Sequence, residues 1–242
     1  MFKRILWPLY FIVAYGVSFF IFLQLPEFVQ AGGYLVTALI FMLILVLTFI
    51  LERTFSLRKA QGRGPIVSFL VDVKKQLMAG DMDAAIESCN KQRGSAANVL
   101  RAGLQRFKQA RAAGLPLDKV VAETQAAIQE ANGLEVPILE RNLIALSTIA
   151  SVSVLVGLLG TTVGMIRSFA ALGHGGAVDA TNLAIGISEA LVNTAGGLAC
   201  AILGIVAYNV FTTKVDSFNY MIDEASFEAV QLLTAHGTEK SE

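Results

Sequence analysis

Four apolar stretches decide what this chain can fold into. They run from Ile5 to Leu25, from Tyr34 to Leu51, from about Leu143 to Leu172, and from about Leu183 to Phe211. The first two carry no charge. Arg167 alone interrupts the third, and Glu189 is the only ionisable carboxylate in the fourth. A helix of about 20 apolar residues spans the hydrocarbon core of a bilayer. Composition agrees: only 16% of the residues are charged, against about 25% in ordinary soluble domains. The expected fold class is all-α, a polytopic membrane protein with long helices that extend into the cytoplasm.

Short turns join spans one and two (Pro26 to Gly33) and spans three and four (Gly173 to Asn182), so each pair forms an antiparallel hairpin. The expected organisation is an N-terminal transmembrane hairpin over residues 1–55, a cytoplasmic helical region over 56–141, a second transmembrane hairpin over 142–213, and a C-terminal cytoplasmic helix and tail over 214–242. The polar region reads as helix, with breaks at "GRGP", "RGS" and "AAGLP". Its segment "IVSFLVDVKKQLMAGDMDAAIESC" spaces apolar residues three and four apart, the mark of an amphipathic helix. Fourteen lysines and arginines lie between Arg53 and Arg141. Lys3 and Arg4 precede span one, Lys214 and Lys240 follow span four, and neither short turn has any. Basic loops stay cytoplasmic, which puts both termini inside and both turns outside. "MFKR" followed by an apolar run ending at "FVQAGG" also resembles a signal peptide, but its apolar run exceeds the usual 7–15 residues. An uncleaved span is the favoured reading.

The 19 basic and 19 acidic residues cancel, so charge points to no nucleic-acid partner. Cys89 and Cys200 lie far apart, which disfavours a disulfide framework or a cysteine metal site. No P-loop, HExxH, paired CxxC or GxSxG pattern is present. The expectation is a protein with no catalytic residues, metal site or cofactor. His174 and His236 read as solitary histidines of a turn and a tail.

The last two spans carry residues that are unusual in an apolar helix. Gly157, Gly160 or Thr161, Gly164 and Ser168 recur at spacings of three and four, as do Gly186, Ala190, Asn193, Gly197, Ala201 and Gly204. Small residues let membrane helices approach closely. One reading is a hairpin packed on itself. The other is a surplus of smooth surface that a single hairpin cannot bury, and hence a homo-oligomeric ring. Most of Ser147, Thr148, Ser151, Ser153, Thr161, Thr162 and Ser168 are expected to bond back to their own helix. A charge near the bilayer centre is costly, so Glu189 should face a cavity or a partner or become protonated. It could instead reach the outer headgroups. Asn193 lies one turn further on and shares its face. Arg167, at a similar level, is a candidate for binding lipid headgroups or for pairing with Asp179 or with Glu189 of a neighbour.

"LVGLLGTTVGMIRSFAAL" and "TNLAIGISEALVNTAGGLACAILGIVAYNVF" resemble the ExbB/TolQ branch of the MotA/TolQ/ExbB proton-channel family. The likeness is best from about Leu134 to Leu233, and ExbB is the nearer pattern. The resemblance implies an inner-membrane motor subunit that forms a ring, commonly a pentamer, whose pore is lined by the 142–213 hairpin. It implies a partner of the ExbD or TolR kind, a single-span protein whose membrane aspartate carries the proton, and a TonB-like protein that transmits the work. Thr161 and Thr194 match the family threonines that face this aspartate, and Glu189 matches the family glutamate of the last span. The extra first span resembles the flagellar stator subunit MotA. None of the four spans contains an aspartate, so a relay through the membrane needs a carboxylate from a second polypeptide on physical grounds too. A structural scaffold is the rival reading. A secondary transporter is disfavoured, since the two hairpins differ and the last has no proline inside its spans.

Overall fold

The computed structural model describes residues 2–172 and 180–239, so His174, Asp179 and Lys240 lie outside the described residues. The described chain is all-helical: α1 (Phe2–Gln24), α2 (Glu27–Gln30), α3 (Gly33–Gln61), α4 (Ile66–Met78), α5 (Met82–Gln92), α6 (Ser95–Ala112), α7 (Leu117–Glu140), α8 (Leu143–Leu172) and α9 (Ala180–Glu239). Three helices are long and apolar enough to cross a membrane, carried by α3, α8 and α9. Of the four spans expected, α1 contributes a shorter apolar stretch, Tyr10–Gln24, among the described residues. The chain divides into two compact units, residues 1–52 with 142–210 and residues 53–141 with 211–242.

In the first unit the turn after α1 is built by Gln30, whose amide donates to the carbonyls of Leu25 (2.7 Å) and Leu23 (3.3 Å). It thereby satisfies helix-end acceptors that have no partner within their own helix. Gly33 (φ +67°) then starts α3 in a left-handed conformation that side chains disfavour. The buried apolar residues of this unit include Val36, Leu39, Val46, Leu146, Ala150 and Ala201. Ser153, Glu189 and Asn193 are buried in the same unit.

In the second unit, Phe69, Val73 and Leu77 recur every four residues on α4 and pack into a core with Cys89, Leu100, Leu104, Phe107 and Val120. The stretch read as one amphipathic pattern is two helices. Gly80 (φ +73°) ends α4, and the Asp81 carboxylate accepts from the amide of Ala84 (2.9 Å) to begin α5. The expected breaks at Gly62–Pro65 and Arg93–Ser95 meet in space. The buried side-chain amide of Gln92 donates to the carbonyls of Gln61 (2.9 Å) and Gly64 (3.2 Å), while the backbone carbonyl of Gln92 accepts from the backbone amide of Arg63 (2.7 Å). A Cβ at Gly94 would stand 2.6 Å from the carbonyl oxygen of Ala60, so this clasp requires glycine there. Burial pushes the Cys89 thiol up to about 12.

Candidate functional site

The small-residue stripes of α8 and α9 face each other. A Cβ on Gly164 would lie 2.6 Å from the carbonyl oxygen of Gly186, and one on Gly197 would lie 2.6 Å from that of Ser153 and 2.9 Å from the Cα of Gly157. At Gly160 it would run into the side chain of Asn193, at Gly186 into the hydroxyl of Ser168, and at Gly204 it would come 2.7 Å from the Cβ of Ala150. All six glycines therefore sit on one seam within the hairpin. The smooth surface that the sequence offered to a neighbouring copy is taken up here, between the two helices of the same chain. The outward faces of the pair instead carry exposed Leu155, Leu158, Ile166, Leu191, Leu198 and Ile202.

Most serine and threonine hydroxyls on α8 do bond to carbonyls of their own helix: Thr148 to Ile144, Ser151 to Ser147, Ser153 to Ile149 and Thr162 to Leu159. Ser168 differs, since its hydroxyl donates across the hairpin to the carbonyl of Leu183 (3.2 Å). The Ser153 hydroxyl also donates across it, to Sγ of Cys200 (3.2 Å). Thr161 and Thr194 form a further cross-seam contact. Their hydroxyls hydrogen-bond to each other while also reaching the carbonyls of Gly157 (3.2 Å) and Ala190 (3.0 Å). Each hydroxyl has a single proton, so these contacts compete and the pair can rearrange without moving either helix. Both threonines are half-buried, so the pair keeps an edge open to the surface of the hairpin.

Glu189 is enclosed. Its side chain is 3% exposed, and both carboxylate oxygens accept from Nη1 of Arg167, at 2.7 and 2.6 Å. The arginine is therefore a partner within the same hairpin, and its own side chain is 61% exposed. Charge compensation and two hydrogen bonds are what a buried carboxylate needs. Asn193 is fully buried one turn below. Its Nδ2 donates to the carbonyls of Gly32 and Glu189, both at 2.9 Å. The opening turn of α3 closes over this cluster, and a Cβ on Gly33 would lie 3.2 Å from Oε1 of Glu189. Two buried polar atoms of this unit, Oδ1 of Asn193 and Oγ1 of Thr37, have no hydrogen-bond partner among the described residues.

Of the four residues expected along a proton path, Thr161 and Thr194 thus share a part-open edge, whereas Glu189 and Asn193 form a closed cluster with Arg167 and Gly32. Sequence reasoning missed the α3 contribution. Its signal is the "AGG" at Ala31–Gly33, read only as a turn although these glycines let α3 press against α9. Among the described residues no group of three or more histidine, cysteine, aspartate or glutamate side chains forms a metal-holding cluster.

Residues 91–224, more than half of the chain, match the MotA/TolQ/ExbB proton channel family. The chain is 33% identical over 193 residues to an ExbB-like biopolymer transport protein of Synechocystis sp., a match that takes in 78% of this chain and 70% of that protein. It is 37% identical over 117 residues to the Tol-Pal system protein TolQ of Pseudomonas aeruginosa, covering 48% of this chain and 51% of TolQ. To the biopolymer transport protein ExbB of Pseudomonas putida it is 38% identical over 92 residues, 37% of this chain and 27% of that protein. The match thus spans about half of the TolQ relative and about a quarter of the last.

Proposed function

Because this chain belongs to the MotA/TolQ/ExbB proton channel family, we propose that it is the ring-forming subunit of an inner-membrane motor powered by the proton motive force. In this reading several copies, commonly five, surround the membrane helices of an ExbD- or TolR-like single-span partner, and a TonB-like protein carries the work to the outer membrane. Both termini are cytoplasmic. The chain supplies a polar pore wall and performs no covalent chemistry.

The observation that carries this reading is the Thr161–Thr194 hydroxyl pair. It sits within two apolar spans, bridges the seam and keeps an accessible edge. Such a pair can donate to a carboxylate and accept from a carboxylic acid in turn, as a proton-carrying aspartate on a neighbouring helix requires. The chain's own carboxylate in these spans, Glu189, is held by Arg167. None of the spans contains an aspartate, so the proton-carrying aspartate comes from another polypeptide in this reading. Relatives named TolQ support a second reading, a role in envelope constriction with a TolR-like partner.

The test is proton flux into liposomes holding the chain with its single-span partner. Thr161→Val and Thr194→Val keep the shape and remove the hydroxyl. Both should assemble as the parent does and lose most of the flux. Full flux in both variants would reduce these threonines to packing residues. Co-purification with an ExbD-like or a TolR-like protein separates the two roles.

A further inference from the structure

A groove of about 400 Å³ lies between α3 and α9 in the second unit, just past the ends of their apolar spans. Arg58 and Lys214 line it together with the hydroxyl-bearing Thr54 and Ser217, over an apolar floor that includes Phe211 and Phe218. Among the described residues no carboxylate lines the groove, and neither cation belongs to any of the described ion pairs. At roughly 1.5 Å per residue of helix, Arg58 stands about 10 Å beyond Leu51 and Lys214 about 5 Å beyond Phe211. Lysine and arginine stems reach back over such distances to the headgroup layer.

We propose that this groove binds the headgroup phosphate of an anionic phospholipid, with an acyl chain against the phenylalanine floor. Two cations without a competing acid match a phosphate in charge. Thr54 and Ser217 add polar surface at its rim, the Ser217 hydroxyl donating to the Thr213 carbonyl (2.8 Å) in the structure. The position at the membrane edge selects a lipid over a soluble anion, because only a lipid brings apolar surface to the floor. Basic pockets between membrane helices recognise anionic headgroups by this combination. The proposal rests on α3 and α9 crossing the membrane and is independent of proton conduction.

The experiment uses the full chain in neutral detergent and follows thermal stability as dioleoylphosphatidylglycerol or dioleoylphosphatidylcholine is added. The parent should prefer phosphatidylglycerol. One basic residue near an anionic surface contributes roughly five-fold in affinity, so Arg58→Gln/Lys214→Gln should lose about thirty-fold of the preference. Its melting temperature in phosphatidylcholine should stay that of the parent. If the double variant is unstable, Lys214→Gln alone should lose about five-fold. Arg63→Gln, an exposed cation outside the groove, should keep the preference. No preference in the parent, or an undiminished one in the double variant, overturns the proposal. So does complete displacement by an equal concentration of glycerol 3-phosphate, which would make the site a reader of free anions. Ready disulfide crosslinking of Ser217→Cys between copies would assign the groove to a subunit interface and overturn it as well.

Discussion

Adjacent glycines on α9 should respond in opposite directions to the same substitution. Gly196 and Gly197 share one helix, so replacing either with alanine gains about 1 kcal/mol of helix propensity. Their surroundings differ. A Cβ at Gly196 meets only the end of the Leu39 side chain at 3.3 Å, which a small rotation relieves. A Cβ at Gly197 meets the Ser153 carbonyl oxygen at 2.6 Å and the Gly157 Cα at 2.9 Å. Neither backbone atom can rotate away, so the helices must part. Relief of the closer contact takes about 0.8 Å, a gap that forfeits a quarter to a half of the dispersion attraction across it. Overpacking of this kind costs about 1–3 kcal/mol. Less the propensity gain, Gly197→Ala is therefore expected to destabilise by a net of up to about 2 kcal/mol, and Gly196→Ala to be neutral or stabilising by up to about 1 kcal/mol. Unfolding of the purified chain by sodium dodecyl sulfate in mixed micelles, followed by far-ultraviolet circular dichroism, resolves such a difference. Equal midpoints for the two variants would refute the close approach of α8 and α9 at this level.

Three further outcomes follow from the geometry. Arg167→Gln should destabilise the hairpin more than Arg167→Gln/Glu189→Gln does, because the single change strands a buried carboxylate; removing one partner of a fully buried pair costs about 3–5 kcal/mol, and the exposure of Arg167 brings this nearer 2. The same denaturant titration checks the order, and equal loss in the two would show that the pair does not compensate the charge. Gln92→Ala leaves the carbonyls of Gln61 and Gly64 without their donor and should cost about 1–3 kcal/mol, read as faster proteolytic cleavage near Gly62–Pro65; parent-like resistance would dismiss the clasp. The Cys89 thiol, raised to about 12 by burial, should resist maleimide at pH 8 for hours and react only on denaturation, since the thiolate is the reactive form; labelling within minutes in the folded protein would contradict its burial.

The three spans carried by α3, α8 and α9 and the helix breaks were legible because they depend on local chemistry. Runs such as Tyr34–Leu51 need no tertiary information to read as membrane helix, and the glycine and proline residues of Gly62–Pro65 and Ala113–Pro116 end helices wherever they stand. The α4–α5 break escaped notice because the apolar spacing stays in phase across Ala79–Asp81. Partner choice was not legible at all. A stripe of glycines gives close approach to any smooth helix, and nothing in the spacing of Gly157, Gly160 and Gly164 distinguishes the chain's own α9 from that of a neighbour. The same holds for Arg167 and Glu189. Both were visible as charged residues at a similar depth, but whether they meet within one hairpin depends on its register, which is set by the seam. The contribution of Gly32 and Gly33 required knowing that α3 lies against α9.

The glycine seam also has a mechanical meaning. At Gly157 and Gly197 the two helices touch backbone to backbone, with no layer of side chains between them to change rotamer. A joint of this kind has no slack: it cannot slide by small repacking steps, because each step drives main-chain atoms into one another. The α8–α9 hairpin is therefore a stiff plate, and a sideways force on either helix is borne by both. Compliance has to come from the leucine and isoleucine side chains on the outward faces of the plate, which can change rotamer. The hydroxyl pair at Thr161 and Thr194 then sits on a fixed support that holds its spacing constant.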